Sequence, residues 1–345
     1  MKWLFLFIAL LSFREVQASD LDRGILRLHE TMLKKVSERP ELNQEMPGLR
    51  VFQTAVKSYC AFMESAASRN VAFQDRFVFV DFTQPALDQR LYVFDLGRRE
   101  LLHQEYGTHG SGTASRLYYS VGQGEGVDPA IVILRAGNYN DSHFFSNRYG
   151  SAESSLGVAL AGERDYYSTS LNVKALRMKG LDAGLNSEME NRGVVFHSWG
   201  YRTKEVKVLR MAPNSEGCLM FPAQDEYEGQ LKVNVASVLF ESIKGAPVFL
   251  YHDRLAHSEL NESTYQDDLR LGEQFREQID TAVHRAAIRF GWTQGYEQKV
   301  LQKFESRLEQ DWFRKVRETH DYFLKGSEWI GREPQIPELC LTRFE

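Results

Sequence analysis

One cysteine stands out by its setting. Cys218 lies in Asn214-Ser215-Glu216-Gly217-Cys218-Leu219-Met220, among small and polar residues, and the strand-like run Gly193-Val194-Val195-Phe196 upstream delivers His197-Ser198. A thiol with a free pKa near 8.5 is a weak nucleophile at neutral pH, and an imidazole within reach can take its proton or hold a thiolate–imidazolium pair. Gly217 lets the backbone turn sharply before the cysteine, which directs neighbouring amide N–H groups toward a developing oxyanion. Cys plus His suffices for acyl transfer, although the same pair at this spacing also arises by chance.

Three kinds of segment must position these residues. Over 19–70, apolar residues recur at helical spacing (Leu26, Leu33, Val36, then Val51, Ala55, Tyr59, Phe62), with breaks near Pro40 and at Pro47-Gly48, which predicts two helices. Over 71–254, short β-branched and aromatic runs such as FVFVDF, RLYVFDL, RGVVFHSW and APVFLY alternate with Gly, Asn, Asp and Ser, the pattern of a β-rich domain. Over 255–345 the helical period returns. Ser263 or Thr264 is expected to cap a helix burying Leu269, Phe275, Ile279, Val283 and Ala287. A second helix carries Val300, Phe304, Leu308, Trp312, Val316 and Phe323, and the turn Gly291-Trp292-Thr293-Gln294-Gly295 makes the two a hairpin. Its charged faces suit solvent, or a protein partner.

A chain of 345 residues with 43% hydrophobic residues can bury a substantial core. The net charge of −5 and the scattered basic residues give no nucleic-acid footprint. Residues 1–18 read as a cleavable export signal: Lys2, an apolar run from Trp3 to Phe13, and Val16-Gln17-Ala18 as a cleavage site. That run is too short to span a bilayer, so no integral membrane segment is expected after its removal, and the mature protein is expected in the periplasm or secreted. Three cysteines leave at least one thiol unpaired. Cys60 and Cys340 are either buried thiols or a pair.

The combination HSW…NSEGC resembles the His…Ser-x-Gly-Cys signature of the murein L,D-transpeptidases, the YkuD-type catalytic domain family. Further ordered segments are similar to one divergent branch of it: DFTQPALDQRLYVFDL, THGSG, FSNRYGSAESSLG, SLNVKALRMKGLDAGLN, RGVVFHSWGY and IKGAPVFLYHD, spanning about 80–253. The resemblance implies a β-rich α+β fold, with a β-sandwich-like catalytic domain carrying helical N-terminal and C-terminal extensions. It implies that Cys218 attacks the diaminopimelate carbonyl of a peptidoglycan stem tetrapeptide and forms a thioester. His197 would serve as base and then acid, oriented by the Ser198 carbonyl, with backbone N–H groups of Gly217 and Cys218 holding the oxyanion. An amine acceptor then gives a 3-3 cross-link, and water gives an L,D-carboxypeptidase or endopeptidase. A catalytically silent murein-binding or scaffold protein is the alternative of another class.

The chain departs from the family pattern at Glu216, where many members have His and this branch more often Trp. A carboxylate there favours an imidazolium and disfavours the thiolate. Met220 replaces a polar residue, and the segment 116–144 is longer than its counterpart. His109 of THGSG matches the family's His-Gly, either lining the cleft or holding a turn. Asn147, Ser151, Ser154 and Ser155 suit stem-peptide hydrogen bonds or turn formation. Arg148 and Arg192 suit a diaminopimelate carboxylate or structural ion pairs. Metal-ligand spacings are absent, since no His-x-x-x-His pair or CxxC occurs, and GQGEG lacks the Gly-Lys-Ser/Thr of a phosphate loop. No cofactor is implied. A papain-like protease is excluded by the order of His before Cys.

Overall fold

The computed structural model describes residues 20–42, 44–64, 75–114, 117–119, 134–136, 140–202, 215–227, 230–233 and 235–330. The expected export signal, Asn214, Cys340 and most of the long segment 116–144 lie outside them. Nine strands form one sheet. In chain order they are β1 (Arg76–Asp81), β2 (Leu91–Asp95), β3 (Glu100–Glu105), β6 (Gly157–Ser168), β7 (Val173–Gly180), β8 (Val195–Arg202), β9 (Leu219–Tyr227), β10 (Gln230–Val233) and β11 (Pro247–Tyr251). Their order across the sheet is β10-β9-β8-β7-β6-β11-β1-β2-β3. The pairs β8–β9 and β1–β11 are parallel and the others antiparallel. Two short strands, β4 (Leu117–Tyr119) and β5 (Leu134–Ala136), pair with each other within the long segment.

Strands β1, β2 and β11 are buried on both faces, which is why their sequences run apolar without polar alternation. The alternation that remains sorts by size. Val78, Val80, Leu91, Val93, Val248 and Leu250 point into the inner core, while Phe77, Phe79, Tyr92, Phe94, Phe249 and Tyr251 point to the other side. There the aromatic layer meets helices α1 (Asp20–Ser37) and α2 (Leu49–Glu64), with Phe52 against Phe94 at 5.4 Å and Tyr59 stacked on Phe77 at 5.1 Å. These are the two helices expected over 19–70. Cys60 is buried in α2 and disulfide-bonded, which answers the question of its state, and Cys218 is free.

The expected sandwich takes the form of one sheet curled on itself. Phe196, Leu219 and Phe221 from β8 and β9 share the inner core with Val78 and Val80, although β1 lies five strands away from β9 in the sheet order. Helix α3 (Val235–Ile243) fills the space between, with Phe240 edge-on to Phe221 at 5.5 Å. The chain leaving β3 then runs beside β9: Thr108 N–H donates to Met220 O at 2.9 Å and Met220 N–H to Thr108 Oγ1 at 3.1 Å. The two ends of the sheet are thereby stitched toward a barrel.

After β11, the short helix α4 (Asp253–Ala256) leads into α5 (Ser258–Phe290). The expected cap at Ser263 or Thr264 is corrected: α5 begins at Ser258, and both hydroxyls lie inside it, donating to Leu260 O at 3.1 and 2.7 Å. Such back-bonding satisfies a hydroxyl within a helix without ending it. The hairpin turn is as read, with Gly291 left-handed at φ 63° and Thr293 capping α6 (Gln294–Leu308). One π-helical turn, Glu309–Phe313, joins α6 to α7 (Arg314–Ile330) and buries both Trp312 and Phe313. Among the described residues no helix is long and apolar enough to cross a membrane.

Candidate active site

β8 and β9 lie side by side and parallel, with Phe196 opposite Leu219 and His197 opposite Met220. Side chains alternate across a strand, so Phe196, Leu219 and Phe221 enter the core while His197, Met220 and, by the same alternation, Cys218 share the opposite face. Strand register therefore puts the expected His and Cys on one face of the sheet. Gly217 takes φ 112°, a conformation that side-chain-bearing residues rarely adopt, and a methyl there would lie 2.9 Å from both Glu153 O and Arg192 Nη2.

His197 is buried and its Nδ1 sits 3.0 Å from Ser198 O. A carbonyl only accepts, so Nδ1 carries the proton and Nε2 is the basic nitrogen. Burial lowers the imidazole pKa below 6.5, partly offset by that carbonyl. Cys218 is partly buried, with its sulfur 3.9 Å from Gly193 O. Burial raises its thiol pKa, against a lowering by the Val195 backbone and by the Arg192 guanidinium; Glu216 raises it further. Both shifts favour the neutral forms, a thiol at Cys218 and a neutral imidazole at His197. Ser215 organises the turn: its hydroxyl donates to Cys218 O at 2.6 Å and accepts from Gly217 N–H at 3.1 Å.

The remaining site candidates divide between a buried layer and a rim. Ser154 and Ser155 are buried; Ser154 Oγ accepts from Gly110 N–H at 2.9 Å, and Ser155 Oγ donates to Ser146 O at 2.9 Å. His109 is also buried, with Nδ1 on Gly110 O at 3.0 Å, and burial beside Arg90 lowers its pKa to about 4. It adjoins the Ser215–Cys218 turn, where Gly110 bridges to Ser215 and Ser215 N–H donates to His109 O. At the rim, Asn147 binds Ser187 Oγ and accepts from Glu188 N–H, Arg148 pairs with Glu318 of α7 at 3.0 Å, Ser151 Oγ accepts from Glu153 N–H, and Glu216 is exposed.

Arg192 joins the two layers. Nη1 donates to Ser146 O and Ser155 Oγ, both at 2.7 Å, and Nη2 donates to Glu153 O. Burial lowers the guanidinium pKa, while Tyr322, Glu153 and Cys218 raise it. Sequence reasoning missed two residues here. Glu153, almost wholly buried, has its pKa raised to about 7 by desolvation and its Oε1 lacks a hydrogen bond; a lone acid in the small-residue run SAESS was its faint signal. Ser215 was visible inside the cysteine motif, but its bridging role depends on the turn geometry. Among the described residues no group of three or more His, Cys, Asp or Glu side chains is arranged to hold a metal ion.

The fold is thus a curled mixed sheet in which His197 lies on β8 and the Gly217–Cys218 turn leads into the parallel neighbour β9. Residues 43–125 and 133–241 match the family model YkuD_2, the L,D-transpeptidase catalytic domain. That is more than half of the chain, and the protein belongs to this family. Comparison with curated proteins and with solved structures gives no significant match.

Proposed function

We propose that the protein is an exported peptidoglycan L,D-transpeptidase with Cys218 as nucleophile and His197 as its base. The observation that carries this reading is His197 anchored through Nδ1 on the Ser198 carbonyl, which leaves Nε2 basic on the face that also carries Cys218. In the proposed reaction the thiol proton passes to His197 Nε2 as the sulfur bonds to the diaminopimelate carbonyl carbon of a stem tetrapeptide. The backbone N–H of Cys218, with that of Gly217 once Ser215 Oγ releases it, receives the oxyanion. The C–N bond to terminal D-Ala then breaks, and His197 returns the proton to the leaving amine. The amine of a second stem attacks the thioester, restores the thiol and makes the 3-3 link; water in its place yields the tripeptide. His109, Ser154 and Ser155 support the nucleophile loop in this scheme, while Asn147, Arg148 and Glu216 stand at the rim where a stem peptide enters.

The test is incubation of diaminopimelate-containing sacculi with the protein and with Cys218→Ala, followed by muropeptide mass analysis. New 3-3 dimers that depend on Cys218 are expected. Tripeptides alone move the assignment to a carboxypeptidase, lost dimers to an endopeptidase, and identical profiles for both proteins remove the catalytic reading in favour of a murein-binding role.

A further inference from the structure

The C-terminal hairpin lies beyond the family match, which ends at residue 241, yet from Lys315 to Phe323 α7 contacts the loops behind the candidate nucleophile. Lys315, Thr319 and Tyr322 are spaced by four and three residues and so share one helix face. Lys315 Nζ donates to Gly112 O at 3.2 Å and lies 3.8 Å from the buried Glu153 carboxylate. Thr319 Oγ1 accepts from Phe145 N–H at 3.3 Å. The Tyr322 hydroxyl, buried, accepts from Leu156 N–H at 2.7 Å and donates to Leu185 O at 2.9 Å. Loop 144–156 is thus gripped from behind at both ends and in the middle. From the front it is held by Arg192, through Ser146 O, Glu153 O and Ser155 Oγ.

We propose that helix α7 is a buttress of the active centre: Lys315, Thr319 and Tyr322 are positioning residues that fix loop 144–156 and, through Glu153 O and Arg192, the Gly217–Cys218 turn. The chain of contacts is short. Glu153 presents its side chain to Lys315 and its carbonyl to Arg192, and that same carbonyl packs where a side chain on Gly217 would stand. Thr319, Tyr322 and Arg192 grip backbone groups of the loop, at Phe145 N–H, Leu156 N–H, Ser146 O and Glu153 O, whereas Lys315 reaches it through the Glu153 carboxylate. The hairpin is itself anchored. His143 Nε2 bonds Asp268 at 2.8 Å, Trp312 Nε1 donates to Asp268 O at 2.9 Å, and the Arg254 guanidinium covers the Phe323 ring at 4.3 Å. A shift of about 1 Å in a reacting group costs up to roughly a hundredfold in rate, so a loop held this tightly is a means of tuning Cys218 from 97 residues away in sequence.

The inference rests on Cys218 as the reactive centre, and its test separates the two claims. Tyr322→Phe removes only the hydroxyl, and Lys315→Met removes the charge from a partly exposed side chain; Ile288→Ser, on the exposed outer hairpin surface, is the control. Two rates are measured on full-length protein: iodoacetamide alkylation of Cys218, located by peptide mass, and turnover of a disaccharide tetrapeptide, with melting temperature alongside. Each of the two variants is expected to lower kcat about tenfold or more at little changed KM and to alter the pH profile of Cys218 alkylation, while Ile288→Ser matches the wild type. Wild-type alkylation and turnover in folded Tyr322→Phe and Lys315→Met overturn the buttress; should Tyr322→Phe not fold, Lys315→Met decides. A wild-type protein inactive on stem peptides defeats the transpeptidase reading alone, since the alkylation comparison still stands or falls by itself.

Discussion

At the scale of single residues, the site depends on a cation without a carboxylate of its own. Among the described residues no Asp or Glu oxygen lies within salt-bridge reach of Arg192, whose hydrogen bonds run to two backbone carbonyls and to serine hydroxyls. A half-buried guanidinium so placed gains from nearby anionic groups: Tyr322, Glu153 and Cys218 each raise its pKa, and it in turn lowers that of the Cys218 thiol. Arg192→Met is expected to raise the thiol pKa, because it removes a lowering interaction and leaves burial and Glu216 in place. Arg192→Lys keeps charge but loses the planar fork, so it preserves the thiol pKa better than it preserves loop position. Iodoacetamide alkylation against pH reads the first effect, and kcat reads the second. An alkylation profile in Arg192→Met that moves to lower pH, or that does not move, sinks the electrostatic role. Glu216, the departure that drew attention in the sequence, acts in the opposite sense from an exposed position and is therefore screened by solvent.

At the scale of elements, three loops meet over the end of β9, and their closest approach is at Gly110. A methyl on Gly110 would lie 2.2 Å from Ala152 O and 2.9 Å from Gly217 Cα, both backbone atoms that cannot swing aside. Gly110→Ala is accordingly expected to cost about 1–3 kcal/mol, as overpacking does, and to lower turnover further by displacing the Gly217–Cys218 turn; urea denaturation and muropeptide turnover measured together check both. Gly295→Ala, which meets open space, should do neither. The elements themselves were largely legible. FVFVDF and APVFLY announced buried strands through β-branched and aromatic runs, and the hairpin turn announced itself through Gly291 and Thr293, each backed by local physics. The start of α5 was misread because Ser263 and Thr264 look like caps, whereas their hydroxyls find the Leu260 carbonyl. That His197 and Cys218 belong to one region of the fold was legible as a motif. The contacts of Glu153, Lys315 and Tyr322 were not, because they depend on how a hairpin more than a hundred residues downstream docks, and neither period nor composition encodes that distance.

At the scale of the whole molecule, buried ionisable groups set how stability responds to pH, and they pull in opposite directions. Burial lowers the pKa of His103 and His109 to about 4 and that of His252 to about 3, against 6.5 unfolded. The unfolded chain binds more protons at these sites, so stability is lost as pH falls from 6.5 through the folded values. Glu153 and Asp182 are both raised to about 7 by desolvation, from 4.5 and 3.8. Here the folded chain binds more protons, so their contribution is complete below the unfolded values and is lost as pH rises through about 7. For these five groups, three histidines against two carboxyl groups leave a modest net gain with pH up to 6.5 and a decline just above it, where the carboxyl groups alone still titrate. Glu153→Gln isolates one arm. The amide cannot ionise, and Lys315 at 3.8 Å only partly compensates the buried charge it replaces. Relative to wild type, the variant should therefore gain about 1–3 kcal/mol between pH 4 and pH 8, with the stability maximum moved to higher pH. Urea denaturation midpoints at the two pH values measure this directly. A variant that instead loses ground at pH 8 would show that the Glu153–Lys315 attraction outweighs desolvation, and with it that Glu153 is held as a carboxylate in the folded protein.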